Sequence, residues 1–298
     1  RGQDHGRLLD NVGIGVDDPT TNPFFSSTLL ALRSLLNEEL PSLSRPFIQN
    51  ETATCLPLDA TLGVEGLPQS GTGQTALFTG VNAPQLIGKH FGPYPYSTLR
   101  LVIEEKNIFR RLREEGKRVC FANAYPQKFF DYFKDKQTRL TVTTLSCSYN
   151  NMPLHQSDSL EKRKAISADI TNAGWAKMGY PHIPLIDAAE AGRRLVRLLD
   201  ENDFVLFEYW RTDKAGHSEN MSEAVAALEL FDGTLGGILE TLDTSDSLLL
   251  VTSDHGNANP GLNGYGAEYI ESTAGLTRVA KMKATYEKMG QIVGTDAT

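Results

Sequence analysis

Unbroken apolar runs along the chain predict buried strands, and three- and four-residue apolar spacing predicts helices. The two strongest runs are FVLFEYW at Phe204–Trp210 and SLLLVT at Ser247–Thr252. Continuous rather than alternating hydrophobicity suits strands covered on both faces, as in a parallel sheet. Between them Val225, Leu228, Phe231, Leu235, Ile238 and Leu242 fall on one side of an amphipathic helix. Strand, helix and strand in that order make a βαβ unit.

Weaker runs predict strands at Arg7–Leu9, Thr61–Val64 and Arg118–Ala122, and helices at Ser26–Glu39, Thr98–Glu115, Ser159–Ala173 and Ala188–Asp200. The expected class is α/β, a doubly wound and mainly parallel sheet with helices on both faces. The stretch from Phe129 to Pro184 is more polar and irregular. It is expected as a small inserted cap over residues 129–184, leaving 1–128 and 185–298 as the core.

Composition narrows the choice of partners. A hydrophobic share of 40% over 298 residues supports a sizeable core, and the net charge of −8 argues against an electrostatic nucleic-acid binder. An anionic substrate must then be held locally, by metals, by Arg or Lys, or by helix N-termini. No apolar run approaches the ~20 residues of a membrane span. Cys55, Cys120 and Cys147 are odd in number and form no CxxC pair, which points to a reducing compartment and a cytoplasmic protein.

Chemistry-bearing residues follow predicted strands, where sites form in open α/β sheets. In EYWRTDKAGHSE, Asp213 and His217 stand four apart, a spacing that brings both onto one cation if the segment turns helical; the plain alternative is a capping Asp and an exposed His. In LLLVTSDHGN, Asp254 and His255 end the strongest strand, and an Asx turn is the plain alternative. Asp10 sits in RLLDNVGIGVDD, where Gly13 and Gly15 fail to complete a dinucleotide fingerprint. In EGLPQSGTGQTALFTG, Gly66 and Gly71 have the outer spacing of a P-loop, but Thr72 stands where the lysine belongs. Ser70 then opens a helix, either as a cap or as a nucleophile whose pKa the helix dipole lowers.

Taken in chain order, Asp10, the Ser70 segment, TDKAGH and TSDHGN resemble the alkaline phosphatase superfamily, in particular its branch with cofactor-independent phosphoglycerate mutase and phosphopentomutase. The resemblance covers roughly Leu8 to Asn257. It implies two divalent metals, manganese or zinc, one held by Asp10, Ser70, Asp254 and His255 and the other by Asp213 and His217. It further implies that Ser70 attacks phosphorus and becomes a phosphoserine, with Thr72 as second candidate nucleophile. The implied activity is metal-dependent phosphoryl transfer on a small phosphorylated substrate, by a phosphatase, phosphodiesterase or phosphomutase.

Two departures stand out. The superfamily supplies a further His to the second metal, well after D-H-G, yet no His follows His255; Asn259, Glu268 and His182 are the substitutes available. Asn11 replaces the glycine expected after the first Asp. The rival reading is therefore a non-catalytic or single-metal descendant acting as a binding protein. A nucleotide-binding α/β protein is a second rival, and the sulfatase pattern is absent, since Thr72 and Gln74 occupy its positions. Lys89 and His90, and the run Lys162, Arg163 and Lys164, are weaker candidates for pocket or anion contacts.

Overall fold

The computed structural model describes residues 13–134, 139–218 and 220–256, together with the backbone of 273–278. Its first half runs α1 (Pro23–Ser26), α2 (Leu30–Leu35), β1 (Ile48–Gln49), β2 (Ala53–Leu58), α3 (Ser70–Thr79), α4 (Ala83–Ile87), α5 (Leu99–Lys106), α6 (Ile108–Glu114), β3 (Val119–Phe121) and β4 (Asn123–Ala124). There follow α7 (Gln127–Phe133), α8 (Val142–Tyr149), α9 (Ser157–Glu161), β5 (Ile166–Ser167), α10 (Ala188–Arg197), β6 (Phe204–Leu206), α11 (Arg211–Ser218), α12 (Met221–Thr241), β7 (Leu250–Val251) and β8 (Thr273–Arg278). Among the described residues no helix is long and apolar enough to cross a membrane.

The class is α/β, as expected. Two parallel pairs are present, β3 with β6 and β4 with β5. The largest sheet, in order β1-β2-β8-β7, is antiparallel throughout. The expected mainly parallel sheet is thus represented, among the described residues, by the two parallel pairs alone. The expected βαβ pairing also differs: β6 pairs with β3, whereas β7 pairs with β8. Only Leu250–Val251 of the SLLLVT run is extended, and Leu250 is exposed.

Where other elements depart from expectation, a side chain has taken over the backbone. At Thr61–Val64 the Asp59 carboxylate accepts from Thr61 N at 2.8 Å, and Leu62 and Gly63 take φ of 51° and 73°. An Asx turn replaces the strand. The helix expected over Ser159–Ala173 stops at Glu161, where Arg163 takes φ of 59° and Lys164 N bonds Ser159 O at 2.8 Å; further on, Asp169 accepts from Asn172 N at 3.0 Å and Gly174 N at 2.6 Å. Asn107 divides the helix expected over Thr98–Glu115, capping α6 through Arg110 N.

The helix expected over Ser26–Glu39 breaks at Leu29, whose φ is 43°. Its own cap is missing, and α12 supplies one: Asp232 accepts from Ala31 N at 2.9 Å and Leu32 N at 2.8 Å. Residues Leu29, Leu32, Leu35 and Leu36 then join Leu228 and Leu235 in one apolar cluster. On the other side of α12, Gly237 and Gly192 of α10 let the two helices meet backbone to backbone. A Cβ at Gly237 would fall 2.0 Å from Ala189 O, and one at Gly192 2.1 Å from Thr234 O.

Segment 129–184 shares its core with the flanking chain. Phe129, Phe130, Val142 and Leu145 pack with Phe78, Phe109, Phe121 and Leu206. Trp175, 1% exposed, anchors a second cluster with Ala124, Leu160 and Ile183. Lys162 and Lys164, candidates for anion contacts, pair with Asp158 and Glu201 at 3.0 and 3.1 Å.

Candidate metal and nucleophile site

The Ser70 helix begins with Gln69 in the N-cap position, extended and making no side-chain cap bond. Ser70 is therefore the first helical residue, and its hydroxyl is not used as a cap. It is 1% exposed, and its Oγ lies 2.8 Å from Nε2 of His255. The other ring nitrogen, Nδ1, is 3.0 Å from the Gly256 carbonyl and donates to it. Nε2 is then the unprotonated nitrogen, and the serine hydroxyl donates to it.

Two glycines permit this arrangement. A Cβ on Gly73 would meet Asp254 O at 2.7 Å, and a Cβ on Gly71 would meet Tyr94 O at 2.3 Å. The helix thus lies directly against the end of β7 on one side and the 91–94 loop on the other. Gly13, three residues after Asp10 in the chain, is packed against Gly256 at the same place, with a Cβ of Gly256 falling 3.3 Å from its Cα. Asp10 itself, Asn11, Asn259 and Glu268 lie outside the described residues.

Asp254 is the unusual member. Its side chain is 0% exposed and 3.8 Å from His255 Nε2, and among the described residues neither carboxylate oxygen has a hydrogen-bond partner. A buried carboxylate without donors carries a heavy desolvation cost. A cation bound beside Ser70 and His255 removes that cost, and Ser, His and Asp supply the oxygen and nitrogen donors that divalent zinc or manganese takes. The residues present fit the group. Other buried polar atoms without partners fall nearby in sequence: both amide atoms of Gln74, Thr252 Oγ1 and Thr212 Oγ1.

Thr72, the second candidate nucleophile, is fully buried and its hydroxyl is engaged with the backbone. It donates to Gln69 O at 2.9 Å and accepts from Phe91 N at 3.3 Å. The loop beyond is an aromatic packing unit: Phe91 and Tyr96 meet edge to face, with the Lys89 ammonium over both rings at 5.6 and 5.1 Å. His90 reaches Val64 O at 3.0 Å.

Asp213 and His217 lie one turn apart on α11, with Oδ1 and Nε2 3.2 Å apart. Asp213 is buried and His217 open to solvent. Among the described residues no three His, Cys, Asp or Glu side chains gather around one metal-sized position. His182 pairs with Glu161 at 2.9 Å on the surface.

Sequence reasoning passed over Glu208, which ends the run of β6 inside the protein. Thr143 donates to its carboxylate, while its N–H and C=O bond the Asn123 amide at 2.8 Å each. Burial and the Glu208 charge push the Tyr125 phenol and the Cys147 thiol well above their ordinary values. A glutamate inside an apolar strand was the signal available.

The profile of the family described as "Metalloenzyme superfamily" matches residues 177–286, which include Asp213, His217, Asp254 and His255. The 2,3-bisphosphoglycerate-independent phosphoglycerate mutase of Moorella thermoacetica is 30% identical over 97 residues, 33% of this chain and 19% of that protein. The enzyme of the same name from Chromohalobacter salexigens is 37% identical over 81 residues, 26% of this chain and 15% of that protein. This chain resembles the metalloenzymes of the alkaline phosphatase superfamily. It matches under a fifth of the length of these two curated relatives. In fold it is similar to the PH0037 protein from Pyrococcus horikoshii, with TM-score 0.50 and 12% identity over 93% of this chain and 86% of that one.

Proposed function

We propose that the chain is a metal-dependent phosphoryl-transfer enzyme acting on a small phosphorylated substrate through a phosphoserine at Ser70. The observation that carries this is the buried Ser70 hydroxyl on His255 Nε2, beside an Asp254 carboxylate with no hydrogen-bond donor among the described residues. The names of the relatives matched by sequence, phosphoglycerate mutases, support the same class of reaction.

Ser70, Asp254 and His255, with Asp10, would hold one divalent cation; Asp213 and His217 would hold a second. Bound there, manganese or zinc supplies Lewis acidity, favouring the serine alkoxide and neutralising phosphoryl charge. Ser70 Oγ is the nucleophile: it forms the new bond to phosphorus as the substrate's ester oxygen leaves with the bonding pair. The N-terminus of α3, where Ser70 is the first helical residue, favours negative charge on the serine oxygen. Thr72 and the glycines on either side of it hold the helix against the 91–94 loop and the end of β7, fixing Ser70 in position. Regeneration of Ser70 takes an acceptor oxygen, from water in a phosphatase and from a second substrate hydroxyl in a mutase.

One competing reading is a single-metal descendant, since among the described residues no third His, Cys, Asp or Glu joins Asp213 and His217 around one metal-sized position. Metal analysis and turnover of p-nitrophenyl phosphate with manganese or zinc test both. Two metal equivalents and activity that Ser70→Ala abolishes are expected. One equivalent with no turnover supports the single-metal reading, and unchanged activity in Ser70→Ala removes the nucleophile assignment.

A further inference from the structure

The mechanism above leaves one buried polar side chain of the nucleophile helix without a task. Gln74 is 0% exposed, and among the described residues neither its Oε1 nor its Nε2 has a hydrogen-bond partner. It follows Ser70 by four residues, which places it about 40° round the helix from the serine, on the same face. Its chain neighbour Gly73 is the residue in backbone contact with Asp254. Phe78, one turn further along, enters the apolar cluster with Ile103 and Phe109. Gln74 thus stands where the helix face passes from the site to the core. An apolar side chain would serve packing better there, since an unpaired buried amide destabilises the fold.

Gln74 stands one turn along α3 from Ser70, and Asp254 abuts Gly73 between them; both carry buried polar groups without partners among the described residues. Neither bonds the other, so each is left to address a third group. We propose that Gln74 is a positioning residue for the cation site, its amide hydrogen-bonding an oxygen held together with the metal. That oxygen belongs either to water or to the phosphoryl group. The proposal rests on reading Ser70, Asp254 and His255 as a cation site.

The test uses the full chain and Gln74→Met, which keeps the volume and removes the amide, with Gln74→Glu as the variant that restores an oxygen. Calorimetry measures manganese binding alone, then inorganic phosphate binding to the manganese-loaded protein; thermal melts follow the metal-free forms. The Met variant is expected to melt at the same or a higher temperature without metal, yet to bind manganese or phosphate ~10-fold or more weakly. Gln74→Glu is expected to recover manganese affinity. Weakened manganese binding identifies the oxygen as water, and weakened phosphate binding alone identifies it as phosphoryl. Met-variant affinities within about twofold of wild type for both probes, or a metal-free melt that falls in both variants, overturn the proposal while leaving the cation site standing. A wild-type protein that binds no manganese overturns both.

Discussion

Ser70 and His255, 185 positions apart in sequence, share a buried 2.8 Å hydrogen bond, and the far side of the His255 ring is fixed by the Gly256 carbonyl. The ring is therefore held in one tautomer, with its lone pair on the serine. Spectra of the metal-free protein labelled with 15N-histidine should show His255 protonated at Nδ1. Protonation at Nε2 alone would contradict the direction of the Ser70 bond.

Asp254 should behave oppositely with and without metal. Replacing it by Asn removes a buried carboxylate that has no hydrogen-bond donor among the described residues, so the metal-free protein should gain about 1–3 kcal/mol. The same change should erase the stabilisation that metal confers, about 2.7 kcal/mol at a concentration 100 times Kd. Thermal melts with chelator and with manganese measure both. A metal-induced shift that survives in Asp254→Asn would remove this residue from the ligand set.

Gly73→Ala tests the contact between helix and strand end. The new methyl meets the Asp254 carbonyl at 2.7 Å, closer than real contacts allow. Overpacking of this kind costs about 1–3 kcal/mol. Denaturant unfolding should show that loss together with reduced metal occupancy; a variant with wild-type occupancy would mean that the backbone moves aside without disturbing Asp254.

Glu190 sets an acid limit on the α10 surface. Burial pushes its carboxyl up, but hydrogen bonds from Arg194 and Arg197 outweigh that and hold it at about 2. A carboxyl depressed on folding contributes stability above its unfolded value and loses it as pH falls through the folded one. Wild type should exceed Glu190→Gln by about 1–2 kcal/mol at neutral pH, after allowance for solvent screening. That difference should shrink between roughly pH 4.5 and 2. Urea titrations across this range measure it, and a constant difference would show that the arginines do not depress the carboxyl.

The candidate site was legible where a short motif dictates its own local structure. D-x-x-x-H reads as one helical turn because four residues nearly close a turn, and α11 forms there. The Ser70 segment read first as a helix cap; its hydroxyl turns out to face a histidine that only the tertiary fold brings near. Gln74 stayed hidden because burial, not residue type, makes its amide conspicuous. β2 escaped notice because Pro57 interrupts an otherwise strand-like run, whereas Thr61–Val64 misled because Asp59 captures the backbone first. Long-range pairing, such as β7 with β8 rather than with β6, leaves no trace in periodicity.

The bond from Asp232 to the start of α2 has a bearing on assembly. Helix α2 lacks a cap of its own and borrows a carboxylate from 200 residues away, so it has no local means of starting. Contacts of such separation form late, after the loop between them has closed. The α2 leucines also pack on Leu40, Ile48, Ala53 and Cys55, but the carboxylate that caps their helix arrives only with α12. The start of α2 waits for α12.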